Sequence, residues 1–154
     1  MKASLAAIVA VLISATALAQ QRDPVAGVWE QTPGRNLTTG ETQRLAAPPL
    51  RIIFSEGYFV QFRAAANRAT TPLRRDEMTK EQLIERYDVQ GQSGTYRISG
   101  GKLVRKTLSA VDPNNEGREG ASDFRVEGDV LIITNTNAQG QALEGRYKRL
   151  PPIR

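Results

Sequence analysis

The chain has 154 residues, a formal net charge of +5, no cysteine and no histidine. Those absences exclude disulfides, thiol nucleophiles, Ser-His-Asp triads and the usual zinc and haem ligation, leaving carboxylate, Tyr, Lys and Arg chemistry and oxygen-ligand metals. The basic residues are scattered and aromatics are few, which argues against nucleic acid as a partner.

The first element is a leader. Lys2, the apolar run from Leu5 to Ile13 and the small-x-small site Ala17-Leu18-Ala19 form the pattern of a secretory signal peptide, residues 1–19, cut before Gln20. The run is shorter than the about 20 residues a spanning helix needs, so an uncleaved anchor is disfavoured. No later stretch is apolar enough to cross a membrane as a helix. The expected product is one domain, residues 20–154, periplasmic or secreted, without an integral span.

The mature chain reads as short strands with one helix. Val25 to Thr32 is a strand stopped by Pro33-Gly34, and it holds the single tryptophan, Trp29. Asn36 to Pro49 is a polar loop. Leu50 to Phe54 and Gly57 to Arg63 make a hairpin across Ser55-Glu56-Gly57. Its apolar positions Ile52, Phe54, Tyr58, Val60 and Phe62 alternate, as on a half-buried strand. Ala64 to Met78 is a polar excursion. Thr79 is then an N-cap, Gln82 completes a capping box, and Met78 and Leu83 are placed as a hydrophobic staple. A short amphipathic helix between Thr79 and Asp88 follows, with Leu83, Ile84 and Tyr87 on one face.

Strands resume with Thr95 to Ser99 and Lys102 to Ser109, joined over Gly100-Gly101, a strong two-residue turn signal. After the loop DPNNEGREG, Ser122 to Glu127 and Val130 to Asn135 pair over Gly128-Asp129. Ala142 to Leu150 is the last strand, ended by Pro151-Pro152. Tyr96, Ile98, Phe124, Val126, Ile132 and Tyr147 join the expected interior. The fold class is mainly β: an eight-stranded antiparallel up-and-down barrel with one short helix, closure of which removes exposed edges. The alternative is a two-sheet β-sandwich.

The residues Gly27-Val28-Trp29 resemble the G-x-W signature of lipocalins and their calycin relatives. The stretches GVWE, EGYFVQFRAAANR, SGTYRI, DPNNEG, VEGDVLIIT and GRYKR, in that order over most of residues 25–150, resemble the bacterial lipocalin-like domain family. The resemblance implies a barrel whose closed end is covered by Trp29. It also implies that an Arg of the last strand, here Arg149, lies over that ring, so Gly27, Trp29 and Arg149 form a structural signature. Arg68 matches an Arg that the family tends to carry after its third strand. Where the family often has a basic or bulky residue before its sixth strand, this chain has Ser122.

Chemistry on the surface has bland explanations. Asp76-Glu77 suits a helix N-terminus, and Glu81 and Glu85 lie on an exposed helix face. Asp112, Asn114 and Glu116 alternate as oxygen donors but lack the EF-hand pattern, so a turn is expected there. No catalytic residue, metal site or cofactor is singled out. The interior offers more. Tyr58 and Tyr96 supply hydroxyls, Arg63, Arg97 and Arg105 are candidates to meet an acidic head group, and Arg68 lies near the mouth. A one-residue register shift would turn any of them outward. The leading expectation is non-catalytic binding or transport of a small hydrophobic or amphipathic ligand, with an anionic group where an arginine meets it. The alternatives are a solid barrel that engages an envelope protein, and a cofactor-free isomerase or cyclase, the last by fold analogy alone.

Overall fold

The computed structural model describes residues 23–45, 48–65, 68 and 72–152; the leader lies outside them. Nine strands follow in chain order: β1 (Gly27–Asn36), β2 (Thr42–Gln43), β3 (Arg51–Ser55), β4 (Tyr58–Ala64), β5 (Val89–Ser99), β6 (Lys102–Ala110), β7 (Glu119–Glu127), β8 (Val130–Thr136) and β9 (Ala142–Arg149). The helix α1 is Lys80–Arg86, between β4 and β5. Its start follows local chemistry. The Thr79 hydroxyl accepts from the Gln82 backbone N–H, and the Gln82 side chain accepts from the Thr79 N–H.

The strands pair antiparallel in the order β2-β1-β3-β4-β5-β6-β7-β8-β9, and a β1–β9 pairing closes the ring. Eight strands form the closed barrel, with β2 a two-residue addition against the far end of β1. The sheet returns on itself, so the two-sheet sandwich is excluded.

Tight turns fix which side chains face inward. At the β3–β4 turn Ser55 pairs with Tyr58, leaving Glu56 and Gly57 as a two-residue loop with φ of 48° and 81°. Two positive φ values match the twist of the flanking strands. The three-residue turn expected from the sequence would pair Phe54 with Tyr58. The real turn pairs Phe54 with Phe59. Paired residues share a face, so Phe59 points inward, while Tyr58, Val60 and Phe62 point outward and are exposed. The expected inward placement of those three is therefore corrected. Ile98 shares a face with Leu103 but is exposed at the barrel end. Ile132 is also corrected. It alternates with the core residues Leu131 and Ile133, so it faces outward, yet it is buried. Its strand neighbours on that outer face are Arg125 and Arg146, and both ion-pair with Glu144 at 3.0 and 3.6 Å.

Three boundaries differ from expectation. β1 runs through Pro33-Gly34, because a register shift between Thr32 and Arg35 absorbs the break. Glycine is required there, since a Cβ at Gly34 would collide with the Glu144 carbonyl. β5 begins at Val89 and β7 at Glu119, each earlier than the apolar pattern begins. At Gly94 a Cβ would run into the Lys106 carbonyl, beside the bulge that takes up one residue between β5 and β6. The core is one cluster of Val25, Trp29, Ile52, Phe54, Phe59, Tyr96, Leu103, Leu131, Ile133 and Tyr147. It fills the half of the barrel nearest the tight turns.

Candidate functional site

The two ends of the barrel differ in construction. At the tight-turn end the chain enters β1 through Asp23 to Ala26. Trp29 is fully buried and donates its Nε1–H to the Val25 carbonyl at 2.7 Å. Arg149, its register partner on β9, places Cζ 4.0 Å from the indole centroid. Its guanidinium donates to the carbonyls of Ala26 at 2.6 Å and Pro24 at 3.3 Å. Gly27 adopts φ 134°, and a Cβ there would strike Arg149 Nη1. In this chain the glycine before the tryptophan answers first to its backbone, since a side chain is strained at that φ. Glycine leaves room for the guanidinium that covers the tryptophan. This end is sealed.

The opposite end carries the long connections, and there the wall becomes polar. The inward-facing positions above Phe59 and Tyr96 are Gln61 and Arg63 on β4, Gln90 and Gln92 on β5, and Arg105 and Thr107 on β6. On β7 and β8 they are Ser122 and Asn135, which pair across through Phe124 and Ile133 below them. A recess of about 440 Å³ is lined by Gln92, Arg105, Thr107, Arg118, Ser122 and Asn135, among others. A second, of about 400 Å³, is lined in part by Gln61, Gln90, Gln92 and Asn115. They share Gln92 and Asn115, and together make one cup in the open half of the barrel.

Arg105 stands at the floor of the cup. Its Cζ is 5.7 Å from the Phe59 centroid, and Nη1 donates to Gln61 Oε1 at 3.2 Å. Among the described residues no carboxylate pairs with it. Burial pushes its pKa below the usual arginine value, and the neighbouring Tyr147 phenol acts in the other direction. The guanidinium stays charged at any physiological pH. Burial in turn pushes the Tyr147 phenol up, with Arg105 opposing. Two carboxylates line the cup, Glu119 in the larger recess and Asp112 in the smaller, and each is already engaged by other groups. Glu119 receives two hydrogen bonds from Arg97, at 3.1 and 3.0 Å, which hold its carboxyl below the usual range. Asp112 caps its own turn, accepting from the Asn114 N–H and side-chain amide at 3.0 and 2.9 Å. That turn is what became of the alternating oxygen donors in DPNNEG.

The residues singled out in the sequence separate clearly. Arg105 and Arg63 are both inside the open half, and Arg63 donates to Gln90 Oε1 at 2.7 Å. Tyr96 is inside but at the sealed end, where its hydroxyl donates to Asp23 Oδ2; burial and then that carboxylate push its pKa far above the ordinary tyrosine value. Tyr58 is on the outer surface, and Arg97 is outside, bound to Glu119. Arg68 is exposed. Of these residues only Arg105 lines the cup; Arg63 lies farther out, on the same face of β4 as Gln61, held by Gln90. The cup residues that the sequence did not single out are Gln61, Gln92, Thr107, Ser122 and Asn135. The usable signal was parity. Each lies two positions from an inward residue (Gln61 from Phe59, Thr107 from Arg105), so a polar residue follows a buried one on the same face. Ser122, the position at which the sequence departs from the family it resembles, donates to Asn135 Oδ1 at 2.5 Å.

No protein-family model and no curated protein matches the chain. Two solved structures are similar in fold. A lipocalin-like protein from Bacteroides uniformis ATCC 8492 is 12% identical with a TM-score of 0.49, the match covering 82% of this chain and 99% of that one. An uncharacterized protein from Bacteroides eggerthii DSM 20697 is 13% identical with a TM-score of 0.44, covering 79% and 97%. The fold assignment rests on the strand order and closure described above. Among the described residues no helix is long and apolar enough to cross a membrane.

Proposed function

We propose that the protein is a non-catalytic binder of a small anionic ligand, held in the open half of the barrel. The observation that carries this is Arg105, a guanidinium set into the barrel wall, facing a cup, with no carboxylate partner among the described residues. Taking a cation out of water costs several kcal/mol unless a counter-charge offsets it. An anion entering the cup supplies that counter-charge. Two recesses of about 400 and 440 Å³ fall in the size range of small-molecule sites. The leader sequence supports a periplasmic or secreted location, which an alkaline-phosphatase fusion to residues 1–19 would report.

The test is a titration of the purified protein with a panel of organic and inorganic anions, followed by NMR. Saturable shifts centred on β6 and β7, lost in Arg105→Gln, are expected. No saturable response to any anion would overturn the reading.

A second reading, an envelope interaction module, draws on a different observation. Ile53, Tyr58, Val60 and Phe62 expose an apolar patch on the outside of β3 and β4. Crosslinking that depends on Val60 and not on Arg105 would favour it.

A further inference from the structure

Resting on the binding reading, we propose that the ligand is a short, hydroxylated carboxylic acid of the sugar-acid type, and not a lipid. The barrel below Arg105 is packed. Phe59, Tyr96, Leu103, Leu131 and Ile133 are all buried and belong to one core cluster. Among the described residues this packed cluster occupies the space an acyl tail would need, so a ligand whose carboxylate reaches Arg105 keeps its remaining atoms in the cup.

The cup itself is a hydrogen-bonding surface. The Thr107 hydroxyl and the Gln92 amide have no hydrogen-bond partner among the described residues, and both line the larger recess. Ser122 gives its proton to Asn135 Oδ1, so the serine lone pairs and the Asn135 amide N–H groups remain available. Gln61 uses Oε1 on Arg105, leaving its amide donors. Arg118, at the rim, donates to Asn115 Oδ1 at 3.4 Å. Hydroxyls and amides set around Arg105, with Arg118 at the rim, suit a carboxylate flanked by hydroxyls. An alkyl chain laid on the same wall would strip these groups of water and return nothing.

The selection is readable with three six-carbon probes: glucuronate, hexanoate and glucose. They share a carbon count and differ in charge and hydroxylation. Calorimetric titration of the purified protein is expected to show glucuronate binding at least about tenfold more tightly than either of the others. Arg105→Gln should weaken glucuronate by about tenfold or more, and Arg105→Lys by less, with unchanged circular dichroism. A double change, Gln92→Leu with Thr107→Val, should narrow the gap between glucuronate and hexanoate and leave the charge dependence intact. Hexanoate binding as well as glucuronate overturns the assignment while the anion-binding reading stands. Glucose binding as well as glucuronate, with Arg105→Gln silent, overturns it too. If another anion of the wider panel binds and glucuronate does not, the ligand class alone fails. If nothing in that panel binds, both readings fail.

Discussion

Arg149 covers Trp29 across the β1–β9 seam, its Cζ 4.0 Å from the indole centroid and its Nη1 2.6 Å from the carbonyl of Ala26, 123 residues earlier. One side chain thus joins a cation–π contact to two backbone hydrogen bonds at the place where the barrel shuts. Arg149→Ala is expected to lower unfolding free energy by about 2 to 3 kcal/mol, the sum expected of a partly desolvated cation–π pair and charge-assisted hydrogen bonds. Arg149→Lys keeps the charge but not the fork, and should lose about half of that. Urea denaturation checks both; a loss below about 0.5 kcal/mol for the alanine variant would mean the seam is held by strand pairing alone.

The register of β4 makes a paired prediction. Phe59 is 2% exposed and Val60, its neighbour, 49%. Phe59→Ala should destabilise by about 3 to 5 kcal/mol, and Val60→Ala by less than about 1. The opposite order in chemical denaturation would restore the three-residue turn and put Tyr58 inside.

Glycine positions separate collision from backbone strain. A Cβ at Gly94 meets the Lys106 carbonyl and lies 3.0 Å from the Phe59 ring, whereas one at Gly120 meets nothing within 4 Å. Gly94→Ala should cost about 2 kcal/mol or more, because a backbone carbonyl cannot step aside. Gly120→Ala should stay within about 0.5 kcal/mol. Gly100→Ala falls between, losing about 1 kcal/mol to its φ of 57° in open space. Equal melting temperatures for the three variants would refute this ranking.

Alkaline pH should weaken the fold through tyrosine. Burial raises the Tyr147 pKa above its unfolded value, and burial with the Asp23 contact raises that of Tyr96. The native state then holds protons that the unfolded chain releases, so the contribution is complete below the unfolded tyrosine pKa of about 10 and falls away as pH rises beyond it. Tyr147→Phe should flatten the decline of unfolding free energy above about pH 10. An unchanged slope in that variant would assign the decline to other groups.

The sequence disclosed the strands wherever a turn residue was unambiguous. Gly100-Gly101 fixed the β5–β6 hairpin, and the Thr79–Gln82 box fixed the start of α1. It misled where the turn could be read two ways. Glu56 sits at a positive φ that sequence gives little reason to assign to glutamate, so the loop looked one residue too long and β4 was inverted. The same parity decides the site. Arg105 and Arg97 are both arginines on neighbouring strands, and only their pairing, Arg105 with Tyr96 and Arg97 with Val104, separates inside from outside. The cup's amides and hydroxyls were invisible for a plainer reason. A polar residue between apolar ones reads as solvent-facing until the barrel closes around it.

Closure also orders events in time. The strand pairs from β3–β4 to β8–β9 join neighbours in sequence, and half of these are two-residue hairpins that can form early, whereas β1 finds β9 only across nearly the whole domain. Synthesis delivers Ala142–Arg149 after the other barrel strands. Until it arrives, β1 and β8 present two open edges to the surroundings, and a nascent chain is then most exposed to pairing with other copies of itself. Chains cut before Ala142 are therefore expected to aggregate even though most of their strands are present.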